Sequence, residues 1–346
     1  MIARVALTPD YSIARVIKGG WHLAGGHGRI DPRQATSDMA AFVEGGITTF
    51  DCADIYTGVE ELIGQFRQDY PALAPRLQIH TKYVPDLSEL ANLTAASTER
   101  IIDRSLLRLG IERLDLVQFH WWDYDIPGWI EAALQLDRLR QAGKIAHIGL
   151  TNFDTDHVAA MVAAGVPVLT HQVQYSLLDD RPSRTMVDFC ATNAIKLLCY
   201  GTVAGGFLSD RWLGGTAPVE TPGNRSLMKY KLIIDDFGGW DLFQELLAAL
   251  RRVATRYDTD IATIASCAIL ARRQVAAVIV GATSQAHLAD NQRITDLRLA
   301  PVDLAEIDSV LSRRQGPGGE VYALERDRTG RHGRIMRYEL NRPEPK

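Results

Sequence analysis

The chain has 346 residues, of which 46% are hydrophobic and 23% charged, with a formal net charge of −4. That balance allows a sizeable core in one large α/β domain or two smaller ones, and gives no sign of a nucleic-acid partner or an anionic membrane surface. No run reaches the roughly 18 apolar residues of a transmembrane helix. Arg4, Pro9 and Asp10 interrupt any apolar leader, so a cytoplasmic protein is expected. The four cysteines, Cys52, Cys190, Cys199 and Cys267, lack metal-ligand spacing and read as reduced core thiols.

Strand-like and helix-like runs alternate along the chain, which predicts a parallel sheet with crossover helices. Residues 2–13 alternate around the Pro9-Asp10 turn and predict a hairpin. Strand 1 is Val16-Ile17-Lys18, ended by Gly19-Gly20. Helix 1 covers 34–44 and stops at Gly45-Gly46, a C-terminal glycine signal. Strand 2 (47–51) ends in Asp51, and helix 2 starts near Glu60. Strand 3 (77–82) ends in Lys82, and helix 3 runs over 90–109 with Gly110 as its stop. Strand 4 (114–120) ends in His120, and helix 4 spans 130–142. Strand 5 (145–150), helix 5 (156–164), strand 6 (169–175), strand 7 (196–200) and strand 8 (277–280) complete the rhythm.

Eight strands predict an eightfold parallel (β/α)8 TIM barrel, for which about 250 residues are typical. Three segments exceed that minimum. They are the N-terminal hairpin, a long Gly- and Pro-rich loop after strand 7 (208–239), and a C-terminal tail. The tail carries Arg326, Arg328, Arg331, Arg334 and Arg337, with Arg342 just beyond. No second domain is visible. The tail is expected either to fold over the barrel mouth and attract a carboxylate or phosphate, or to form a solvated or intersubunit surface.

Asp51, Tyr56, Lys82 and His120 all fall at or just after strand ends. A parallel barrel gathers strand ends into one pocket, so the four become one constellation. A phenol is a weak acid for protonating a developing alkoxide. Lys82 is expected to favour phenolate and lower the Tyr56 pKa, and Asp51 to keep the charge on Lys82. His120 is expected to donate a hydrogen bond to a substrate carbonyl and orient it. No nucleophile or metal cluster accompanies them, so such a site needs its electrons from a cofactor.

These residues carry a resemblance to the aldo-keto reductase family. Gly46-Ile47-Thr48-Thr49-Phe50-Asp51-Cys52-Ala53-Asp54-Ile55-Tyr56 resembles its G-x-x-x-F-D-T-A-x-x-Y signature, with Cys52 for the usual Thr. The likeness extends over about 15–312, leaving 313–346 as the tail of a single-domain barrel. It implies NAD(P)H-dependent interconversion of an aldehyde, ketone or sugar with its alcohol, with Tyr56 as general acid or base. Gly149-Leu150-Thr151-Asn152-Phe153 resembles G-x-S-N-F, and His171-Gln172-Val173-Gln174-Tyr175 resembles N-Q-x-x-Y. By that likeness Thr151, Asn152 and Gln172 hold the nicotinamide carboxamide and Tyr200 stacks on the ring. Val203 and Gly205 lie along the pyrophosphate.

The adenosine end is implied to be Gly281, Thr283, Ser284, His287 and Asn291. Family members that bind a 2′-phosphate have Lys where Gly281 stands and Arg where His287 stands. Arg293 is the nearby cation that could serve instead. NADP(H) is expected from family habit, and NAD(H) stays open on charge. Trp21, His22, Trp121 and Trp122 are expected either to wall the substrate pocket or to pack beneath its loops. A small-molecule partner is expected, in a monomer or homo-oligomer. The competing expectation is a nucleotide-binding regulatory subunit of aldo-keto reductase likeness with little turnover.

Overall fold

The computed structural model describes residues 2–24, 28, 30–218, 225–282 and 284–341. Eight parallel strands close into a barrel. They are β1 (Val16–Gly19), β2 (Thr49–Asp51), β3 (Gln78–Tyr83), β4 (Leu114–Phe119), β5 (Ile145–Thr151), β6 (Val168–Gln174), β7 (Lys196–Tyr200) and β8 (Val275–Gly281). Each pairs with its neighbours in sequence, and β8 closes onto β1. Register sets Asp51 beside His80, Lys82 beside Gln118, and Thr151 beside Gln172.

The barrel interior is a packed core, with Ile17, Leu116, Leu198, Ala277 and Ile279 all buried inside it. A larger apolar shell joins the strands' outer faces to the surrounding helices. The expected hairpin forms from Arg4–Ala6 and Ser12–Ala14. It closes the N-terminal end of the barrel, where Arg4 Nη1 donates to Thr48 Oγ1 at 2.6 Å and Tyr11 Oη lies 2.9 Å from His80 Nε2.

Two expectations need correction. Helix 3 starts at Ala95 rather than Leu90, because Thr94 Oγ1 accepts from the Ser97 amide and caps it there; a short 3₁₀ turn, Leu87–Asn92, precedes it. The connection after β7 is also no continuous loop. It carries a helix, Arg225–Phe237, whose Tyr230, Ile233, Ile234 and Phe237 are buried. Spacings of three and four put these on one face. The Gly- and Pro-rich stretch just before it masked this periodicity.

Candidate active site

Asp51 is the last residue of β2, and its carboxylate reaches inward across the barrel top. Lys82 Nζ donates to Asp51 Oδ2 at 2.6 Å and to the Cys52 carbonyl at 2.8 Å. Both side chains of the pair are nearly inaccessible to solvent. Burial alone would push Lys82 down, but the Asp51 charge and the nearby Tyr56 more than offset it, so the ammonium is held above its ordinary pKa. That ammonium stands 4.9 Å from the centre of the Tyr56 ring. Burial raises the Tyr56 pKa; Lys82 pulls it down, and Asp51 adds to the rise. The net direction is upward, contrary to the expectation that Lys82 would bring it below the ordinary value. Desolvating a phenolate outweighs one ammonium that is already shared with a carboxylate.

Gln118, which sequence reasoning missed, completes this centre. Its Nε2 donates to Asp51 Oδ1 at 2.9 Å. Gln172 Nε2 donates to the same Oδ1 at 2.6 Å and to Gln118 Oε1 at 2.9 Å. Asp51 therefore accepts from three side chains. Gln172, implied for a cofactor carboxamide, turns its amide nitrogen onto Asp51. Leu116, Gln118 and His120 alternate along one strand, and Leu116 belongs to the interior core. That parity was the available signal for Gln118.

His120 follows β4. Its Nδ1 lies 3.0 Å from the Thr151 carbonyl oxygen. A carbonyl only accepts, so Nδ1 carries the hydrogen of that bond. Burial, and after it the Arg326 cation, push the ring's pKa down to about 3. The imidazole is neutral at ordinary pH, and Nε2 is buried with no hydrogen-bond partner among the described residues.

The residues implied for a nicotinamide lie along the adjoining strand ends. Asn152 has φ 62°, a left-handed conformation that asparagine tolerates. Its Oδ1 accepts from Tyr200 Oη at 2.9 Å. Thr151 and Gln172 are buried at the ends of β5 and β6. Val203 and Gly205 lie in the loop after β7, and a Cβ on Gly205 would come 2.7 Å from Tyr230 Cδ2. The mouth helix Arg225–Phe237 thus packs directly on that loop.

At the adenosine end, Thr283 lies outside the described residues. Gly281 and Ser284 are exposed, and a Cβ on Gly281 would come 2.3 Å from His22 Cε1. His22 therefore sits over the end of β8. The His287 side chain is 77% exposed, 3.5 Å from Asp290 Oδ2. Asn291 is buried, and its Nδ2 has no partner among the described residues. Arg293 is turned away from the run. Its Nη1 and Nη2 donate to the carbonyls of Asp258 and Tyr257 at 2.5 and 2.7 Å.

The tryptophans divide. Trp21 packs edge-on against the Tyr56 ring at 5.1 Å. Trp122 stands edge-on to His120 at 4.4 Å, and its Nε1 is buried without a partner among the described residues. Trp121 is not a wall residue. It is fully buried, and its Nε1 donates to the carbonyls of Asp123 and Ile126 at 2.9 and 3.0 Å.

The tail crosses the βα loops at the mouth, but not as a field of unpaired charge. Arg326 Nη1 donates to the carbonyls of Trp121 and Trp122, and Nη2 to that of Asn152 at 2.8 Å. Its guanidinium stacks 3.8 Å over the Tyr124 ring. Arg328 pairs with Asp123, and Arg331 with Asp236. Glu325 is buried against Arg181 at 3.0 Å. Tyr322 stands edge-on to His120 at 5.5 Å. Arg342 lies outside the described residues.

Among the described residues no cluster of His, Cys, Asp and Glu could hold a metal ion, and no helix is long and apolar enough to cross a membrane. The model of the Aldo/keto reductase family matches residues 15–312. The chain is 27% identical over 293 residues to flagellar radial spoke protein 5 of Chlamydomonas reinhardtii, covering 67% of this chain and 55% of that protein. It is 24% identical over 318 residues to the NADH-specific methylglyoxal reductase of Escherichia coli (strain K12), covering 86% and 94%. The solved structure of a glycerol dehydrogenase from Gluconobacter oxydans superposes with a TM-score of 0.76 at 21% identity, over 92% of this chain and 97% of that one. Likeness at that identity speaks for the fold.

Proposed function

The chain belongs to the Aldo/keto reductase family, and from that premise we propose that it interconverts a carbonyl and its alcohol with a nicotinamide nucleotide, Tyr56 moving the proton. The observation that carries this reading is the buried Asp51–Lys82 pair set beneath the Tyr56 ring. A buried ion pair is costly to build and weak evidence for stability. Here it places a fixed positive charge where a phenolate or an alkoxide would form.

A bound nicotinamide nucleotide would supply or accept the hydride. Asn291, whose buried Nδ2 lacks a partner among the described residues, fits an adenine. Asn152 and Tyr200, already joined to each other, fit the nicotinamide end. In reduction the neutral Tyr56 phenol donates its proton to the carbonyl oxygen. The Lys82 ammonium stabilises the phenolate left behind, and Asp51, held by Gln118 and Gln172, keeps Lys82 in place.

The charge around the adenosine run supports NAD(H) over NADP(H), reversing the expectation from family habit. A 2′-phosphate prefers a guanidinium fork or an ammonium. Arg293 is spent on backbone carbonyls, and the His287 ring lies 3.5 Å from the Asp290 carboxylate. Lys18 lies beneath the run with its Nζ on the Ala282 carbonyl at 3.2 Å, and it is buried between the rings of Phe42 and Phe50. The NADH-specific name of one relative accords with this.

The second reading is a nucleotide-binding subunit with little turnover; one relative carries the name of a flagellar structure. The Tyr56, Lys82 and Asp51 arrangement argues against it, since a subunit without catalysis has no use for a buried ion pair under a phenol. The test is NADH absorbance with a panel of aldehydes, ketones and sugars. Consumption with at least one carbonyl is expected. Tight nucleotide binding with no consumption across the panel would favour the second reading.

A further inference from the structure

Next to Tyr200 lies a cluster of four charges that the proton chemistry at Tyr56 does not use. Asp179 and Arg181 come from the segment after β6, Lys229 from the mouth helix Arg225–Phe237, and Glu325 from the tail. Arg181 pairs with Asp179 at 2.7 Å and with Glu325 at 3.0 Å, and all three side chains are buried. Lys229 Nζ stands 3.6 Å from Glu325 Oε1, its side chain 15% exposed. Burial would raise the Glu325 pKa, but Arg181 and then Lys229 outweigh it and hold the carboxyl down to about 2. Three segments distant in sequence thus meet in a charge-balanced cluster, whose desolvation makes it a poor device for stability alone.

Lys229 is the member in contact with Tyr200. Its Nζ lies 3.5 Å from Tyr200 Oη and 5.1 Å from the centre of that ring, with the rings of Tyr322 and Tyr230 at 5.6 and 5.8 Å. An ammonium only donates, so it turns the Tyr200 hydroxyl hydrogen away from itself. That hydrogen goes to Asn152 Oδ1 at 2.9 Å. With its oxygen engaged, the Asn152 amide offers a ligand only N–H. The Asn152 backbone is fixed as well: its N–H donates to the Gln172 carbonyl at 3.0 Å, and its own carbonyl accepts from Arg326 of the tail at 2.8 Å. A line of donors therefore runs from Lys229 through Tyr200 to Asn152, each polarising the next, with the positive charge at its far end.

We propose that Lys229 is a positioning residue through which the site selects the redox state of its nucleotide. Acting through Tyr200 and Asn152, it fixes the polarity of the nicotinamide end, and its charge favours the neutral dihydronicotinamide over the cationic pyridinium. The reduced nucleotide is then held more tightly than the oxidised one, which favours carbonyl reduction by letting the oxidised product leave. Glu325 offsets part of that charge from the tail, so the tail sets the size of the preference. This inference rests on the reading of Tyr200 and Asn152 as the nicotinamide end.

The test is the ratio of Kd for NAD⁺ to Kd for NADH, measured by calorimetric titration and repeated with NADP⁺ and NADPH. The wild type should bind the reduced form more tightly. Lys229→Met keeps the length of the side chain and removes its charge. It should lower the ratio by roughly 10-fold, the scale on which one charge acts in a partly buried site. Lys229→Arg keeps the charge and should keep the ratio, whereas Glu325→Gln should raise it. A packing role would weaken both forms alike, so a ratio unmoved in Lys229→Met, or lowered equally in Lys229→Arg, would overturn the inference while leaving the proposed function intact. If the variants do not fold, the wild type decides, and an oxidised form bound as tightly as the reduced one would overturn it. Binding of neither NADH nor NADPH would overturn the proposed function and this inference with it.

Discussion

The two ends of the barrel are built from similar side chains and behave differently. At the floor, Tyr11 reaches His80 Nε2 at 2.9 Å and its ring lies 4.5 Å from that of His147. At the mouth, Tyr56 stands over Lys82, whose ammonium lies 4.9 Å from its ring centre. His80 and Lys82 are two residues apart on β3, so both point inward, one layer apart. Burial holds His80 neutral, its pKa pushed down to about 4. Lys82, equally buried, stays charged because Asp51 is 2.6 Å away. A buried Tyr–His pair is therefore a structural plug, and in the proposed function what makes the other end a reaction site is the ion pair beneath the phenol. This matches the general division of such barrels into a stability face and a working face.

Substitutions at the two ends should separate accordingly. The largest effect is expected from Tyr56→Phe, which should keep nucleotide affinity while turnover falls by about 10²–10⁴, the range of lost acid–base catalysis. Near-full turnover would erase the distinction between the ends. Lys82→Met leaves Asp51 buried without its cation and should cost roughly 3–5 kcal/mol in urea unfolding. Adding Asp51→Asn should recover most of that loss, and an undiminished cost in the double variant would mean the pair is not electrostatically coupled. At the floor, Tyr11→Phe should lose about 1 kcal/mol for one hydrogen bond, with kcat/KM within a factor of two of wild type by the same bookkeeping. A tenfold drop in turnover there would make the floor part of the chemistry. The smallest effect is at the exposed adenosine end. His287→Arg should tighten NADPH over NADH by roughly 2–5-fold, the scale of an exposed charge contact. Equal change for both nucleotides, measured by fluorescence titration, would show that the side chain does not face the 2′ position.

The two ends also differed in how far the sequence revealed them. The floor is local, a hairpin just ahead of β1, and alternation around Pro9-Asp10 discloses it. Asp51, Tyr56, Lys82 and His120 were legible because each stands at or just past the end of a short apolar run. Gln118 was not, because an amide inside a strand looks like a surface residue until the barrel closes and sets it against Asp51. The roof of the mouth was hidden for a different reason. It is made by the helix Arg225–Phe237 and by Tyr322 and Arg326 of the tail, segments far from the loops they cover. Charge patterning showed arginines there, but not that Arg326 would be spent on three backbone carbonyls. The fate of Trp121 and Trp122 was likewise a matter of one residue's step along a loop, which no periodicity in the sequence encodes.

The central claim is that the Tyr56 proton is the one transferred, and the pH dependence of the two directions tests it most directly. Burial holds the Tyr56 pKa above the ordinary phenol value of 10.0, and His120 contributes no step near neutrality because its pKa is pushed down to about 3. Carbonyl reduction needs the phenol, so its kcat/KM should stay level from about pH 6 to about pH 9. Alcohol oxidation needs the phenolate and should still be rising, about tenfold per pH unit, at pH of roughly 9. Oxidation that levels off by about pH 7, in the range of an ordinary histidine, would contradict the assignment of the proton to Tyr56.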